Sequence, residues 1–143
     1  MSQTLIDAAK AQIVAYNEKN WQAATDALTS DVTYDEVGTQ RKLQGVADVL
    51  AAWKGWAGTL PDSKATIEAA YVSGNTVILE VTWRGTHTGA LRTPGGDIPA
   101  TGKKIQLRGC QVIDMVDGKS RSIRHYFDMA TLLTQLGVNT VSA

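Results

Sequence analysis

The segment RHYFD, residues 124–128, carries the side chains best suited to acid–base chemistry. Arg124, Tyr126 and Asp128 alternate along it, so an extended strand directs all three to one face. A carboxylate held rigidly beside an apolar pocket can take a proton from carbon, and a phenol can donate a hydrogen bond to the enolate oxygen that forms. The pattern predicts Asp128 as a catalytic base, Tyr126 as the donor and Arg124 as a substrate-binding residue.

Each of these three residues also has a purely structural interpretation. Asp128 stands directly before a predicted helix, where aspartate is a preferred N-cap worth about 1 kcal/mol. Tyr126 is equally consistent with a half-buried strand aromatic, and Arg124 with a surface charge. What separates the two interpretations is whether the Asp128 carboxylate opens into a cavity or folds back onto the first amides of the helix.

The two histidines are interpreted differently. His87 lies in GTHTG, where a strand ends and a long loop begins, and imidazole titrates near neutrality, so it is a candidate proton relay at a pocket mouth. The flanking threonines and glycines are also consistent with a histidine that anchors the loop through hydrogen bonds. His125 lies on the strand face opposite to Asp128 and is predicted to be a packed or surface residue. Two distant histidines and one cysteine match no zinc-ligand spacing, so no metal is expected.

Aromatic side chains supply candidates for a substrate pocket. Trp53 and Trp56 are three residues apart on a predicted helix and Trp83 lies on a predicted strand. Such residues suit a flat polycyclic ligand, although tryptophans more often build a core. Tyr34 with Glu36, and Gln111 with Asp114, are further possible pocket residues whose facing depends on strand bulges. The predicted substrate-binding residues are Trp53, Trp56, Trp83, Tyr34, Gln111 and Arg124.

Composition and charge limit the classes of partner. Fourteen Lys and Arg balance fourteen Asp and Glu over 143 residues, so no net field attracts nucleic acid or an anionic membrane. The longest apolar run has five residues, where a membrane-spanning helix needs about 20. The single Cys110 and the absence of a signal-peptide pattern at the start of the sequence indicate a cytoplasmic protein. No glycine-rich nucleotide motif is present, so no cofactor is expected.

The elements that must hold these residues follow from hydrophobic periodicity. Spacings of three and four predict helices over residues 3–19, 21–28 and 46–57. Alternation predicts strands over residues 31–36, 65–72, 76–84 and 103–116. A hairpin turn at residues 117–119 leads into a strand that runs to about residue 127, and Asp128 and Gly137 bound a last helix. Residues 85–102, with Pro94 and Gly95, are predicted to form a long irregular connection that rims a site. Helices therefore precede most strands, which is typical of a single α+β domain.

Four segments resemble the SnoaL-like polyketide cyclases and ester cyclases of the nuclear transport factor two-like superfamily. They are residues 53–62 (WKGWAGTLPD), 85–89 (GTHTG), 101–103 (TGK) and 124–137 (RHYFDMATLLTQLG). The resemblance runs from about residue 5 to residue 137. It implies a cone-shaped α+β barrel, in which a curved antiparallel or mixed sheet wraps around three N-terminal helices, followed by a short C-terminal helix. A deep hydrophobic pocket and assembly as a homodimer or homotetramer are also implied.

The resemblance implies an intramolecular aldol ring closure without a cofactor, with an aspartate acid/base that corresponds to Asp128. Residues and resemblance together predict a cofactor-free acid/base enzyme that acts on a small hydrophobic carbonyl compound, by aldol cyclisation or a related proton transfer. Two alternatives stay open. One is a noncatalytic domain that binds a small hydrophobic molecule, and the other is a cofactor-independent hydroxylase.

Overall fold

A curved, mixed sheet of six strands frames the molecule. The computed structural model describes residues 2–93 and 95–138. Its helices are α1 (Ser2–Glu18), α2 (Trp21–Asp26), α3 (Val46–Thr59) and α4 (Met129–Gln135). Its strands are β1 (Leu28–Glu36), β2 (Arg41–Gln44), β3 (Lys64–Ser73), β4 (Thr76–Thr86), β5 (Leu91–Thr93), β6 (Gly96–Ile98), β7 (Lys104–Val116) and β8 (Lys119–Phe127). Within the described part of the chain, no helix is both long and apolar enough to cross a membrane.

The strand order is β2-β1-β8-β7-β4-β3, and β5 and β6 form a separate hairpin. The long strands β4, β7 and β8 pair antiparallel with one another. β1 lies parallel to β8, with Glu36 beside His125 in register. The predicted α+β architecture with a curved mixed sheet is confirmed. In the described residues the sheet ends at β2 and β3, so the predicted barrel stays open.

Helix α1 packs its apolar stripe against the inner face of the sheet. Ala9, Ile13 and Tyr16 recur at helical spacing and are all buried. They belong to one core cluster with Leu79 on β4 and Ile113 on β7, which are fully buried. Full burial of a side chain of this size contributes about 1.5–3 kcal/mol relative to exposure. This cluster fixes α1 over the sheet and so sets one wall of the space between them.

A second apolar cluster lies between the long connection and the C-terminal helix. Its buried members are Leu60, Leu91, Ile105, Leu107, Leu132 and Leu136. Leu91 begins β5, so the short β5–β6 hairpin packs against α4 through this cluster. The hairpin and α4 therefore cover the end of the sheet that the α1 cluster leaves open.

The predicted helices and long strands agree with the observed elements to within a few residues. Asn20 caps α2, since its Oδ1 accepts a hydrogen bond from the Ala23 N–H at 3.0 Å. The sequence did not predict β2 or the β5–β6 hairpin, which lies within the predicted irregular connection; Pro94 is outside the described residues. Strands of three or four residues are too short for alternation to reveal.

Gly89→Ala is expected to destabilise the protein by about 1–3 kcal/mol, because a side chain there overpacks a close backbone contact. A Cβ atom at Gly89 would lie 1.9 Å from the Gly58 carbonyl oxygen of α3. Gly55→Ala is the control, since a Cβ there meets nothing within 4 Å and alanine gains about 0.5–1 kcal/mol over glycine inside a helix. Urea denaturation measures both variants. A Gly89 variant as stable as the wild type would contradict the close contact.

Candidate active site

A cavity opens between the inner face of the sheet and helices α1, α3 and α4. The empty space between its walls is about 660 Å³, a value that includes open solvent at the mouth. Its wall is mostly apolar and aromatic, with few polar groups, as in pockets for small molecules. The lining residues are Gln12, Tyr16, Tyr34, Glu36, Trp53, Trp56, Leu60, Ser63, Trp83, Ile105, Leu107, Gln111, His125, Phe127 and Leu132.

His125 is held in the cavity wall by two aromatic side chains. Its Nδ1 lies 2.7 Å from the Tyr34 hydroxyl, and the Trp83 Nε1–H donates to its Nε2 over a long 3.3 Å. Because indole nitrogen can only donate, Nε2 must carry the lone pair, so Nδ1 carries the proton and donates it to Tyr34. Burial lowers the pKa of His125 to about 4, against a smaller opposing effect of Glu36. The imidazole is therefore neutral at pH 7.

Glu36 is the one ionisable carboxylate in the cavity wall and is fully buried. Arg41 donates to its Oε1 from Nε at 3.0 Å and from Nη2 at 2.8 Å. Thr39 also donates to Oε1, and Trp56 Nε1 donates to Oε2 at 2.9 Å. Arg41 approaches from outside, with 47% of its side chain exposed. The carboxylate is therefore paired with a cation from the solvent side, while its residue lines the cavity.

Two further hydrogen-bonded pairs lie on the α1 side of the cavity. Gln12 Nε2 donates to Gln111 Oε1 at 2.6 Å. The hydroxyls of Tyr16 and Ser63 are 2.6 Å apart. Burial raises the pKa of Tyr16, and burial together with the nearby Glu36 charge raises the pKa of Tyr34 well above its ordinary value. Both phenols therefore keep their protons at neutral pH and can act as hydrogen-bond donors.

Three strands bring the polar groups of the cavity into one row. Glu36 on β1 is the register partner of His125 on β8, and His125 is the register partner of Gln111 on β7. All three side chains are buried and line the cavity. A carboxylate, a neutral imidazole and an amide thus stand side by side on a rigid sheet, an arrangement that can accept a proton and stabilise the charge that results.

Five of the predicted substrate-binding residues lie in the cavity wall. Trp53 and Trp56 contribute from α3, Trp83 from β4, Tyr34 from β1 and Gln111 from β7. Their contact with a substrate stays a prediction.

The predicted facing of Arg124, Tyr126 and Asp128 is wrong, because none of the three lines the cavity. Asp128 caps α4, and its carboxylate accepts from Ala130 N at 3.0 Å and from Thr131 Oγ1 at 2.8 Å. Tyr126 is 44% exposed, and Arg124 forms an ion pair with Asp114 on the outer face, with 3.2 Å between nitrogen and oxygen. The alternation was predicted correctly, but the inner face belongs to the other set of residues.

His87 is buried outside the cavity wall and anchors the long connection. Its Nδ1 accepts from the Thr101 N–H at 3.2 Å and lies 3.0 Å from the Thr101 hydroxyl. Its backbone N–H donates to the Lys103 carbonyl at 2.8 Å. Burial lowers the pKa of His87. The contacts thus join the GTHTG and TGK segments, and the position does not favour a proton relay to the cavity.

Sequence reasoning did not assign His125 to the cavity, and it named Glu36 only as a further possible pocket residue. A signal for His125 was present, because Ile123 and Phe127 share its face and strongly apolar residues mark the inward side of a strand. Glu36 carried the same parity as Tyr34, but nothing in the sequence indicates that Arg41 reaches back across the turn to pair with it. Within residues 2–93 and 95–138, no three His, Cys, Asp or Glu side chains gather as a metal site would require.

Comparisons with known proteins agree with this fold. Residues 6–136 match the sequence profile of the family described as SnoaL-like polyketide cyclase. No curated protein matches the sequence significantly.

Three solved structures illustrate the likeness. A proposed SnoaL-like polyketide cyclase from Jannaschia sp. CCS1 has a TM-score of 0.83 at 14% identity, covering 96% of this chain and 94% of that chain. AclR, a proposed hydroxylase from Streptomyces galilaeus, has a TM-score of 0.78 at 19% identity, covering 96% of this chain and 87% of that chain. An LEH-like epoxide hydrolase from M. tuberculosis has a TM-score of 0.72 at 21% identity, covering 94% of this chain and 90% of that chain. At these identities the likeness shows the fold and leaves the reaction open.

Proposed function

The chain belongs to the SnoaL-like polyketide cyclase family, and we propose that it is a cofactor-free acid/base enzyme that acts on a small hydrophobic carbonyl compound in the described cavity. The observation that carries this proposal is the row of Glu36, His125 and Gln111 inside an otherwise apolar wall. His125 takes the role of base that the sequence suggested for Asp128.

His125 suits a proton acceptor for three reasons. Its pKa of about 4 leaves it neutral at pH 7, so no proton occupies the Nε2 lone pair. Among the described residues only Trp83 donates to that lone pair, over a long 3.3 Å contact that the substrate C–H would displace. The negative charge of the neighbouring Glu36 raises the pKa of His125, and a developing enolate beside the ring acts in the same direction. Both charges strengthen a base that burial alone would leave weak.

An aldol closure balances without any further reactant. His125 Nε2 takes a proton from the carbon next to one carbonyl, and the resulting enolate carbon forms a bond to a second carbonyl carbon of the same molecule. The second carbonyl oxygen becomes an alkoxide and takes the proton back from the imidazolium. Tyr34 holds Nδ1 throughout, which fixes the orientation of the ring, and the apolar wall limits competing water.

Exchange of carbon-bound protons tests this role without knowledge of the natural substrate. The wild-type protein is expected to accelerate deuterium incorporation next to the carbonyl of 2-tetralone in D₂O, measured by NMR. His125→Gln is expected to lose at least about a hundredfold of this acceleration, the usual contribution of a positioned base.

Asp128→Asn is the matched control for the exchange experiment. Asparagine is also a good N-cap, so the variant is expected to keep the exchange rate and to stay within about 1 kcal/mol of wild-type stability. Full activity in His125→Gln, or loss of activity in Asp128→Asn at unchanged stability, would overturn the assignment of the base to His125.

A noncatalytic ligand-binding domain is the second candidate function. It is favoured by the hydrogen bonds that the phenols and the imidazole of the wall already make to protein partners, in the Tyr16–Ser63 and Tyr34–His125 pairs. An apolar ligand would then leave few buried polar groups unpaired. This candidate predicts that wild-type protein binds 2-tetralone without accelerating exchange and that His125→Gln retains the affinity.

A further inference from the structure

We propose that Gln111 and Gln12 form a polar subsite of the cavity in which the Gln111 amide nitrogen binds a neutral carbonyl oxygen of the ligand. This inference rests on the proposed function only in taking the cavity as the place where the ligand binds. It does not require that the ligand react.

The backbone carbonyl of Ala9 determines how the side-chain amides of Gln12 and Gln111 are oriented. Gln12 Nε2 lies 3.3 Å from the Ala9 carbonyl oxygen and 2.6 Å from Gln111 Oε1. Since a carbonyl oxygen can only accept, the Gln12 amide must direct its nitrogen toward Ala9. Its two N–H groups are then used by Ala9 and Gln111. The oxygen of the Gln111 amide faces Gln12, and its nitrogen must point away from Gln12.

The two N–H groups of Gln111 Nε2 are left to the cavity. No described residue accepts a hydrogen bond from them, although Gln111 is only 2% exposed. The one sealed side-chain nitrogen or oxygen without a partner among the described residues is His87 Nε2. Gln111 Nε2 is therefore not sealed inside protein and borders the cavity space. An amide donor in such a place favours a ligand that supplies an acceptor, because burying it unpaired costs free energy.

The subsite lies directly beside the proposed base. Gln111 and His125 are register partners on β7 and β8, and side chains opposite each other on one face of antiparallel strands start about 4.5–5.5 Å apart. A carbonyl oxygen on Gln111 Nε2 therefore brings its neighbouring carbon close to the imidazole. The same contact would stabilise negative charge on that oxygen as an enolate forms.

The charges of the wall define the class of ligand. Gln111 is a neutral donor, and Glu36 is the one charged side chain among the lining residues because His125 is neutral. A carboxylate ligand would find no cation among the lining residues, and Arg41 behind the wall is already paired with Glu36. We therefore assign ketones, esters and amides to this subsite and exclude free carboxylic acids at neutral pH.

A pair of ligands that differ by one oxygen tests the subsite. The affinities of 2-tetralone and its hydrocarbon analogue tetralin are measured through the fluorescence of the cavity tryptophans Trp53, Trp56 and Trp83. The ratio of the two affinities isolates the carbonyl, since both ligands bury nearly the same apolar area. Gln111→Met and the double variant Gln12→Met, Gln111→Met are each expected to lower the preference for the ketone by roughly fivefold to tenfold, the worth of one hydrogen bond.

The double variant guards against an effect of the Gln12 amide left without its partner. It replaces both partners of the Gln12–Gln111 hydrogen bond by apolar groups of similar size, so no buried amide loses its partner while the ligand still loses its donor. Gln12→Met is the matched control, because it removes the partner and leaves the Gln111 donors in place; it is expected to keep the ketone preference to within about twofold. An unchanged preference in both Gln111 variants, equal losses in Gln12→Met, or no binding of the ketone by wild-type protein would overturn the subsite.

The failure of this proposal can be distinguished from failure of the proposed enzyme. His125→Gln is expected to keep the ketone preference, because the donor belongs to Gln111. If the preference for the ketone depends on Gln111 but the wild-type protein shows no exchange of carbon-bound protons, the subsite is supported and the acid/base function is overturned. If exchange is present and the Gln111 variants leave the preference for the ketone unchanged, only the subsite is overturned.

Discussion

Arg41→Met is expected to lower the free energy of unfolding by about 3–5 kcal/mol, the cost of leaving a buried carboxylate without its cation. Glu36 is fully buried and receives two N–H groups from Arg41. Trp56 and Thr39 still donate to the carboxylate in the variant, but neither carries a charge. The loss comes from the carboxylate that remains and not from the arginine that is removed.

The double variant Arg41→Met, Glu36→Gln separates that cost from lost packing. A glutamine oxygen can still accept from Trp56, and no buried charge is left, so most of the stability is expected to return. Arg121→Met provides the control, because Arg121 pairs with Asp31 at the surface, where both side chains are more than half exposed; its removal is expected to cost less than about 1 kcal/mol. Urea denaturation at neutral pH measures all three. Equal losses in Arg41→Met and Arg121→Met would contradict the buried pair.

The fold was predictable where one face of an element is uniformly apolar. The stripe of Ala9, Ile13 and Tyr16 locates α1, and the Asp117–Gly118 turn locates the hairpin of β7 and β8. The parallel pairing of β1 with β8 could not be predicted in the same way. It joins segments from opposite ends of the chain, and no turn between them specifies a register.

The site was less predictable than the fold. Polar side chains usually face solvent, whereas in a functional cavity some of them are buried on the inner face of the sheet. In RHYFD both faces of the strand carry polar residues. The prediction of a catalytic base chose Asp128, the more reactive of them, which lies on the outer face. The structure instead turns His125 inward, on the same face as the fully buried Ile123. Glu36 is a similar case, since its burial depends on Arg41, which pairs with it from the neighbouring strand.

Acid is expected to destabilise the protein by about 3 kcal/mol between pH 6.5 and pH 4 through His125 alone, since each pKa unit is worth 1.36 kcal/mol. Burial holds the pKa of His125 at about 4 in the folded protein, while an unfolded histidine has a pKa of about 6.5. In this interval the unfolded chain binds more protons than the folded chain, so stability falls as the pH falls. The stability is fully present above pH 6.5 and is lost as the pH approaches 4.

His125→Gln removes this titration and is expected to flatten the dependence of unfolding free energy on pH across that interval, whatever its stability at pH 7. His87→Gln is the matched comparison. Burial also lowers the pKa of His87. The His87→Gln substitution therefore also reduces the slope of unfolding free energy against pH, but it leaves the contribution of His125 in place. The carboxyls of Asp31 and Asp62 have lowered pKa values and titrate at a lower pH than the histidine interval.

Urea denaturation at pH 7, 6, 5 and 4 gives the slopes. A wild-type slope that persists in His125→Gln would show that His125 is not buried as a neutral imidazole, and the proposed base would fall with it.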